Sequence, residues 1–402
     1  MIFTELSYFA VFLVPCVVAF HLAARLGHDE RTVAIRAWAL ILFGLGFFAY
    51  FGYRHFGGAL GALAVLIFVW ELIVSRWYRP GSVVCLLGIA QAILILVVFK
   101  YLHFFGTSWN DLATLRGGPV LSGLPRLALP LGISFFTFEF IHFAADSYTG
   151  KIVRPPLAHY AAFIFFFPSM VAGPIKRFQD FEPQFLGARF DPGLVMQGIT
   201  RILAGLVKKN VIADTFGLWA DPLTTDALYR SDGLVVLLRV FAYGMKIYFD
   251  FSGYSDIAIG SGYLFGIRIP ENFSWPYLSA NITEFWRRWH ISLGRWLFDY
   301  VYVPLGGSRH GRGRTALALV VTFAISGLWH GAGYGFLAWG VWHGLMMLVH
   351  RVWRRTVPAS SWRLAPYMAT ALTFVAVNIG WAFFFLDARR AVFALGRITG
   401  VN

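Results

Sequence analysis

Residues 315–350 read TALALVVTFAISGLWHGAGYGFLAWGVWHGLMMLVH, a run without one Asp, Glu, Lys or Arg. Basic residues close it at both ends: Arg309, Arg312 and Arg314 before it, Arg351, Arg354, Arg355 and Arg363 after it. An apolar run of this length allows two short crossings of a hydrocarbon core about 30 Å thick. Lys and Arg collect in cytoplasmic loops, and two crossings return the chain to the side it left, so both basic segments can face the cytoplasm. The stretch sets the fold class: an all-α polytopic membrane protein.

Working outward, the same reading recurs. Apolar stretches lie near 7–23, 37–53, 59–75, 82–104, 127–145, 157–172, 193–213, 233–260 and 366–386. With the two inside 315–350, about eleven segments are expected. Composition agrees: of 402 residues 58% are hydrophobic and only 13% charged, which excludes a soluble enzyme, and 18% are aromatic, which excludes disorder. The net charge of +14 reads as basic loops against an anionic leaflet, with no nucleic-acid partner.

Early loops give orientation. Arg25, Arg31 and Arg36 follow the first stretch, Tyr53-Arg54-His55 is expected to form a short turn after the second, and Arg76 and Arg79 follow the third. This places the N-terminus outside the cytoplasm. No basic residue precedes the first stretch, which reads as an uncleaved span. Cys16, after Leu13-Val14-Pro15, is a poor lipoprotein cleavage site; Cys16 and Cys85 read as packing residues. A single membrane domain is expected over 1–402, with N-terminal helices in 1–126, core motifs in 127–350, and a basic loop and last helix in 351–402.

Polar groups inside this apolar chain carry the functional signal. Residues 261–305 are too polar for lipid and too aromatic for an ordinary loop, which suggests interfacial or re-entrant helices. Within them Asn281 and Glu284 form a capping box. One helix over 281–303 would gather Trp286, Trp289, His290, Leu293, Trp296, Leu297 and Tyr300 on one face, opposite Arg288, Ser292, Arg295 and Asp299. On periodicity alone His290 reads as a buried histidine bonded to backbone; alternatively it points into a cavity. Gly327, Gly331 and Gly335 fall near one face of a helix and permit close backbone approach. His330 lies beside them, and an ionisable group in such a run is a functional candidate. As a neutral imidazole it can accept a proton. His343 is set off by about 140° on a continuous helix, so the two need not share a site.

Glu139, His142 and Asp146 recur on one helix face, a carboxylate–imidazole–carboxylate stripe of a kind that can bind a metal or relay protons. Since one helix seldom supplies a complete metal site, they read as the polar wall of a water-filled cavity. Lys246 and Asp250, four apart, are expected to pair. No metal-ligand spacing, phosphate-binding loop, HExxH or GxSxG motif is found, and no resident cofactor is implied. Asn272-Phe273-Ser274 and Asn281-Ile282-Thr283 match glycosylation sequons, a short pattern with a high chance rate. No repeat at a fixed period is visible, which weakens a transporter reading.

Longer motifs carry a resemblance. Phe285-Trp286-Arg287-Arg288-Trp289-His290-Ile291-Ser292-Leu293, Asp299-Tyr300-Val301-Tyr302-Val303-Pro304-Leu305-Gly306-Gly307 and Ser326-Gly327-Leu328-Trp329-His330-Gly331 with Trp339-Gly340 and His343-Gly344 resemble the signatures of membrane-bound O-acyltransferases. So do Leu131-Gly132-Ile133-Ser134-Phe135-Phe136-Thr137-Phe138, Ala172-Gly173-Pro174-Ile175 and Asp250-Phe251-Ser252-Gly253-Tyr254-Ser255-Asp256. The likeness covers the chain from about residue 130 onward. It is greatest to the bacterial branch of alginate O-acetylation and teichoic-acid D-alanylation.

The resemblance implies a ring of helices around a tunnel joining a cytoplasmic donor to an extracytoplasmic acceptor, in a bacterial inner membrane. It assigns His330 as the catalytic histidine and His290 as the second functional one. Trp286, Trp289, Trp329, Gly327 and Gly331 are expected along the tunnel with Glu139, His142 and Asp146. Glu139 and His142 depart from the Gln and Ser usual in relatives, and the chain's length is nearer the D-alanylation protein.

The implied reaction carries an acyl group, foremost acetyl, from an acyl-CoA (acetyl-CoA) or acyl-carrier-protein thioester to hydroxyls of a glycopolymer. Transfer is direct or through an extracytoplasmic transferase, with membrane lipid and a carrier protein as further partners. Arg309, Arg312 and Arg314 would hold the donor's phosphates, unless they serve only positive-inside topology. The competing class is a non-enzymatic glycan or lipid channel lined by the histidines.

Overall fold

The computed structural model describes residues 2–25, 27, 29–56, 58–356 and 366–401; Arg363 lies outside them. Among the described residues the regular structure is helical, apart from one isolated antiparallel bridge between Phe273 and Trp289. Among the described residues three helical stretches are long and apolar enough to cross a membrane, Glu30–Arg54, Val83–Leu115 and Pro366–Phe385, with shorter apolar helices at Tyr8–Ala24 and Ala62–Ser75. That is fewer than the eleven apolar segments of the sequence, for local reasons. The stretch 157–172 is helical only over Leu157–Ile164 before a 3₁₀ turn at Phe167–Ser169. The long helix Gly233–Leu264 carries Arg239, Lys246, Asp250 and Asp256. The turn expected at residues 53–55 is absent, because the helix Glu30–Phe56 runs through it.

The chain divides into two compact units, residues 1–204 with 254–270, and residues 205–253 with 271–402. In the first, phenylalanines pack edge to face, as in Phe68 against Phe136 at 4.7 Å. Arg36 is fully buried in the helix Glu30–Phe56 rather than exposed in a basic loop. Its guanidinium donates to the carbonyls of Ala188 (2.9 Å) and Leu186 (3.2 Å), at the end of the helix Phe178–Leu186, where a cation and the helix dipole agree. Cys16 and Cys85 are buried and unbridged.

The same unit holds the Glu139–His142–Asp146 face of the helix Ile133–Tyr148, which the structure fills differently from the cavity wall expected. All three side chains are buried. Glu139 forms an ion pair with Lys176, and His142 Nε2 accepts from the backbone N–H of Phe178 at 2.9 Å. Asp146 meets Nδ1 of His142 at 3.3 Å, Lys151 at 3.2 Å and the side-chain amide of Gln179 at 2.5 Å. These polar groups bind the segment 176–179 to the helix instead of facing open water.

In the second unit a helical hairpin dominates: Gly311–His330, a break at Gly331–Gly333, then Tyr334–Thr356. The break corrects the single-helix glycine stripe, since Gly331 lies beyond the first helix and Gly335 on the second. Close approach survives in another form. A Cβ on Gly327 would collide with the carbonyl oxygen of Phe336, and one on Gly340 with that of Phe323. Lys246 pairs with Asp221 at 2.6 Å, and Asp250 with Lys209 at 2.8 Å, so the expected Lys246–Asp250 pair does not form. Helix spacing brought the two within reach, but each has a counter-ion on another element.

Candidate functional site

The segment 281–303 is two helices, not one. Asn281 caps the helix Ile282–Arg288 by accepting from the N–H of Glu284 at 2.9 Å, and Glu284 returns to the N–H of Ala280 at 3.1 Å. Trp289 is then extended and His290 takes a left-handed conformation, φ 44° and ψ 54°, before the helix Ile291–Leu297. A non-glycine residue there is uncommon and needs outside support. Support comes from the segment 272–274. The N–H of Ser274 donates to Arg288 O (3.0 Å) and that of Ile291 to Asn272 O (3.0 Å), around the Phe273–Trp289 bridge.

This kink aims His290 away from the direction periodicity assigned, and its partner is a side chain. Asn272 is fully buried, and its Oδ1 accepts from Ser292 N–H (3.2 Å) and Ser292 Oγ (2.7 Å) and lies 3.2 Å from His290 Nδ1. The backbone donor fixes which amide atom is oxygen, so a neutral His290 carries its proton on Nδ1. Nε2 is then a bare lone pair, buried and without a hydrogen-bond partner among the described residues. Asn272 was legible only as a glycosylation sequon, a role its burial excludes. Ser292, placed on the polar face, is likewise buried.

His330 ends the helix Gly311–His330, and Gly331 turns the chain away in an extended conformation. Its ring lies 6.4 Å from that of His290. Around it stand Trp329 at 4.7 Å, Trp339 at 5.3 Å and Phe384 at 5.0 Å. Trp329 also faces His290 at 6.2 Å. Trp289 is buried against Trp381 at 4.9 Å, and Trp286 stands 5.7 Å from Trp339. The break at Gly331–Gly333 cancels the 140° separation of His330 and His343. Both now flank Trp339, with His343 at 5.0 Å from it. His343 is wholly buried and neither ring nitrogen has a hydrogen-bond partner among the described residues; the same holds for the indole N–H groups of Trp286 and Trp339.

Buried polar atoms without partners are costly, about 1–3 kcal/mol each, and rare in a settled core. Four residues of one aromatic cluster share this condition: His290, His343, Trp286 and Trp339. With neutral imidazoles they offer three N–H donors and two lone-pair acceptors in the aromatic cluster around His330. No group of three His, Cys, Asp or Glu side chains among the described residues is arranged for a metal. Arg309, Arg312 and Arg314 are exposed; the last two lie in the first turn of the hairpin's leading helix.

A helical, apolar chain with a buried His290 and a half-buried His330 side by side defines an integral membrane protein with a polar site among aromatic rings. The model of the membrane-bound O-acyltransferase family matches residues 63–386, and the chain belongs to that family. It is 41% identical over 315 residues to a probable alginate O-acetylase of Pseudomonas putida, covering 76% of this chain and 62% of that protein. It is 33% identical over 376 residues to a peptidoglycan O-acetyltransferase of Helicobacter pylori, covering 86% and 70%. A teichoic acid D-alanyltransferase of Streptococcus thermophilus is 31% identical, with 63% and 64% covered. The chain spans less than two thirds of the length of the alginate relatives it matches.

Proposed function

We propose that this chain transfers an acyl group, foremost acetyl, from a thioester donor to a hydroxyl of an extracytoplasmic glycopolymer. The observation that carries the reading is the pair His290 and His330, 6.4 Å apart among unpaired indole N–H groups. The family's chemistry and the three relatives' names agree with it.

In this reading the acceptor's hydroxyl oxygen attacks the thioester carbonyl while His330 takes its proton. The C–O bond forms, the C–S bond breaks, and the thiolate leaves with a proton returned from His330. General-base help is worth about 10²–10⁴-fold, with orientation in a water-excluding site supplying more. A neutral His290 presents Nε2 as an acceptor, so it orients a substrate hydroxyl and does not donate to the carbonyl oxygen. The indole N–H groups of Trp286 and Trp339 are donors suited to that oxygen.

The proposal includes about eleven crossings of a bacterial inner membrane, an extracytoplasmic N-terminus, and a tunnel reaching the histidines past Trp289, Trp329, Gly327 and Gly331. It also places the donor's phosphates, from acyl-CoA or an acyl carrier protein, at Arg309, Arg312 and Arg314, and passes the acyl group to polymer directly or through a partner transferase. The deciding experiment incubates purified protein with labelled acetyl thioester and acceptor glycan. Release of thiol and labelling of glycan, both lost in His330→Ala, are expected. Passage of glycan across proteoliposomes with no thiol release would favour the channel instead.

A further inference from the structure

A cavity of about 350 Å³ lies in the first unit, far in chemistry from the aromatic histidine site. The end of the helix Gly58–Ser75, the end of the helix Ile133–Tyr148 and the start of the helix Leu157–Ile164 enclose it. Tyr78, Phe143 and Tyr160 form its apolar wall, and Arg76 and Arg154 bring charge to it.

Neither guanidinium is engaged. Arg76 and Arg154 are exposed, and their side chains make no ion pair or hydrogen bond among the described residues. The acidic groups nearby are committed elsewhere. Glu71 is fully buried and does not line the cavity; it accepts from the hydroxyl of Tyr160 at 3.0 Å and that of Tyr78 at 3.3 Å. Asp146 is held by Lys151, Gln179 and His142.

Of the three helix ends at the cavity, one favours an anion. Carbonyls at the two helix C-termini are capped: Ile73 and Val74 by the N–H groups of Arg76 and Trp77, Tyr148 by that of Gly81, Ala145 by that of Thr149. The helix Leu157–Ile164 presents its N-terminal turn to the cavity at Pro156 and Leu157, the end that favours anions. Arg154 also stands at φ 34°, a conformation disfavoured for a residue with a side chain. The strained residue is thus one of the two cations that line the cavity.

Apolar side chains around the opening indicate the ligand's other half. Leu157 of the cavity lining, and Trp77 and Val153, next in sequence to Arg76 and Arg154, are exposed at 38%, 53% and 76%. An indole and two aliphatic groups beside two cations suit the boundary between headgroups and acyl chains. We propose that this cavity binds a phosphate group, that of an anionic phospholipid headgroup, between Arg76 and Arg154. The phosphates of an acyl donor are the second source of the same chemistry.

The test uses the full chain in detergent. Phosphatidylglycerol, phosphatidylcholine and desulfo-coenzyme A are titrated in turn and read by native mass spectrometry and thermal shift. The variants are Arg76→Gln, Arg154→Asn (asparagine tolerates positive φ) and both together. Wild type should bind and be stabilised by phosphatidylglycerol more than by phosphatidylcholine. Each substitution should weaken phosphatidylglycerol by about fivefold and the pair by about 30-fold. If the coenzyme analogue weakens and the lipid does not, the site takes phosphate from the donor. The proposal is overturned if the variants bind both ligands as wild type does. The single variants decide the matter should the double one fail to assemble.

Discussion

Asn272 Oδ1 lies 3.2 Å from His290 Nδ1 while also accepting from both the backbone N–H and the hydroxyl of Ser292. One side-chain oxygen therefore sets the tautomer of His290 and anchors the turn that follows it. If Nε2 must be a lone pair for transfer, Asn272→Leu should lower kcat by about 10²-fold with a small change in KM. Asn272→Asp keeps an acceptor opposite Nδ1 and should recover most of the rate. A merely structural role would lower the amount of folded protein in both variants and leave kcat per folded molecule unchanged. Steady-state kinetics normalised to folded protein separate the two.

The histidines themselves divide by role. His330→Ala removes the proposed base and should abolish acyl transfer, a loss of at least 10²-fold, while size-exclusion behaviour and apparent Tm stay near wild type. His290 must occupy positive φ, so alanine would mix a backbone penalty with the chemical one. His290→Asn tolerates that backbone and should retain folding while losing turnover. Turnover like wild type in His330→Ala would remove it from the mechanism.

What the sequence could and could not disclose follows from range. The membrane class was legible in composition, and the capping box at Asn281 and Glu284 in local spacing. His290 and His330 were legible as polar residues in apolar surroundings. Periodicity failed at Trp289–His290, because apolar spacing at 3.6 residues continues through a kink set by backbone bonds from 272–274. Asn272 looked like a sequon because its partners lie 18–20 residues away. His343 looked remote from His330 because spacing does not show the helix break at Gly331–Gly333. The partners of Lys246 and Asp250 were likewise settled by neighbours distant in sequence, at Asp221 and Lys209. The glycines fared better: spacing of four announced close packing, although the turn at Gly331–Gly333 placed it across a hairpin.

That hairpin gives a steric prediction with its own control. Gly340→Ala would drive a Cβ into the carbonyl of Phe323, where no side-chain rotation gives relief. A loss of about 3 kcal/mol is expected, read as a lower apparent Tm and less folded protein. Gly313 lies in the same hairpin with nothing within 4 Å of a Cβ. Gly313→Ala should be neutral or stabilise by about 0.5–1 kcal/mol, through helix propensity. Equal effects at both positions would mean that the close approach of the two helices is not what constrains Gly340.

The buried pair Glu139 and Lys176 offers a test of whether the polar face of the helix Ile133–Tyr148 is structural. Removing one partner leaves a charge in a dry interior, which costs about 3–5 kcal/mol. Glu139→Gln or Lys176→Met alone should therefore lower the apparent Tm sharply. Removing both charges in Glu139→Gln/Lys176→Met should cost much less than the sum of the single changes, because no unpaired charge remains. If Glu139 instead served acceptor choice from a water-filled cavity, Glu139→Gln would leave Tm unchanged and alter which glycans are acylated. A double-mutant cycle on apparent Tm, run beside an acceptor panel, distinguishes the two: strong coupling in Tm with an unchanged panel is the expected result.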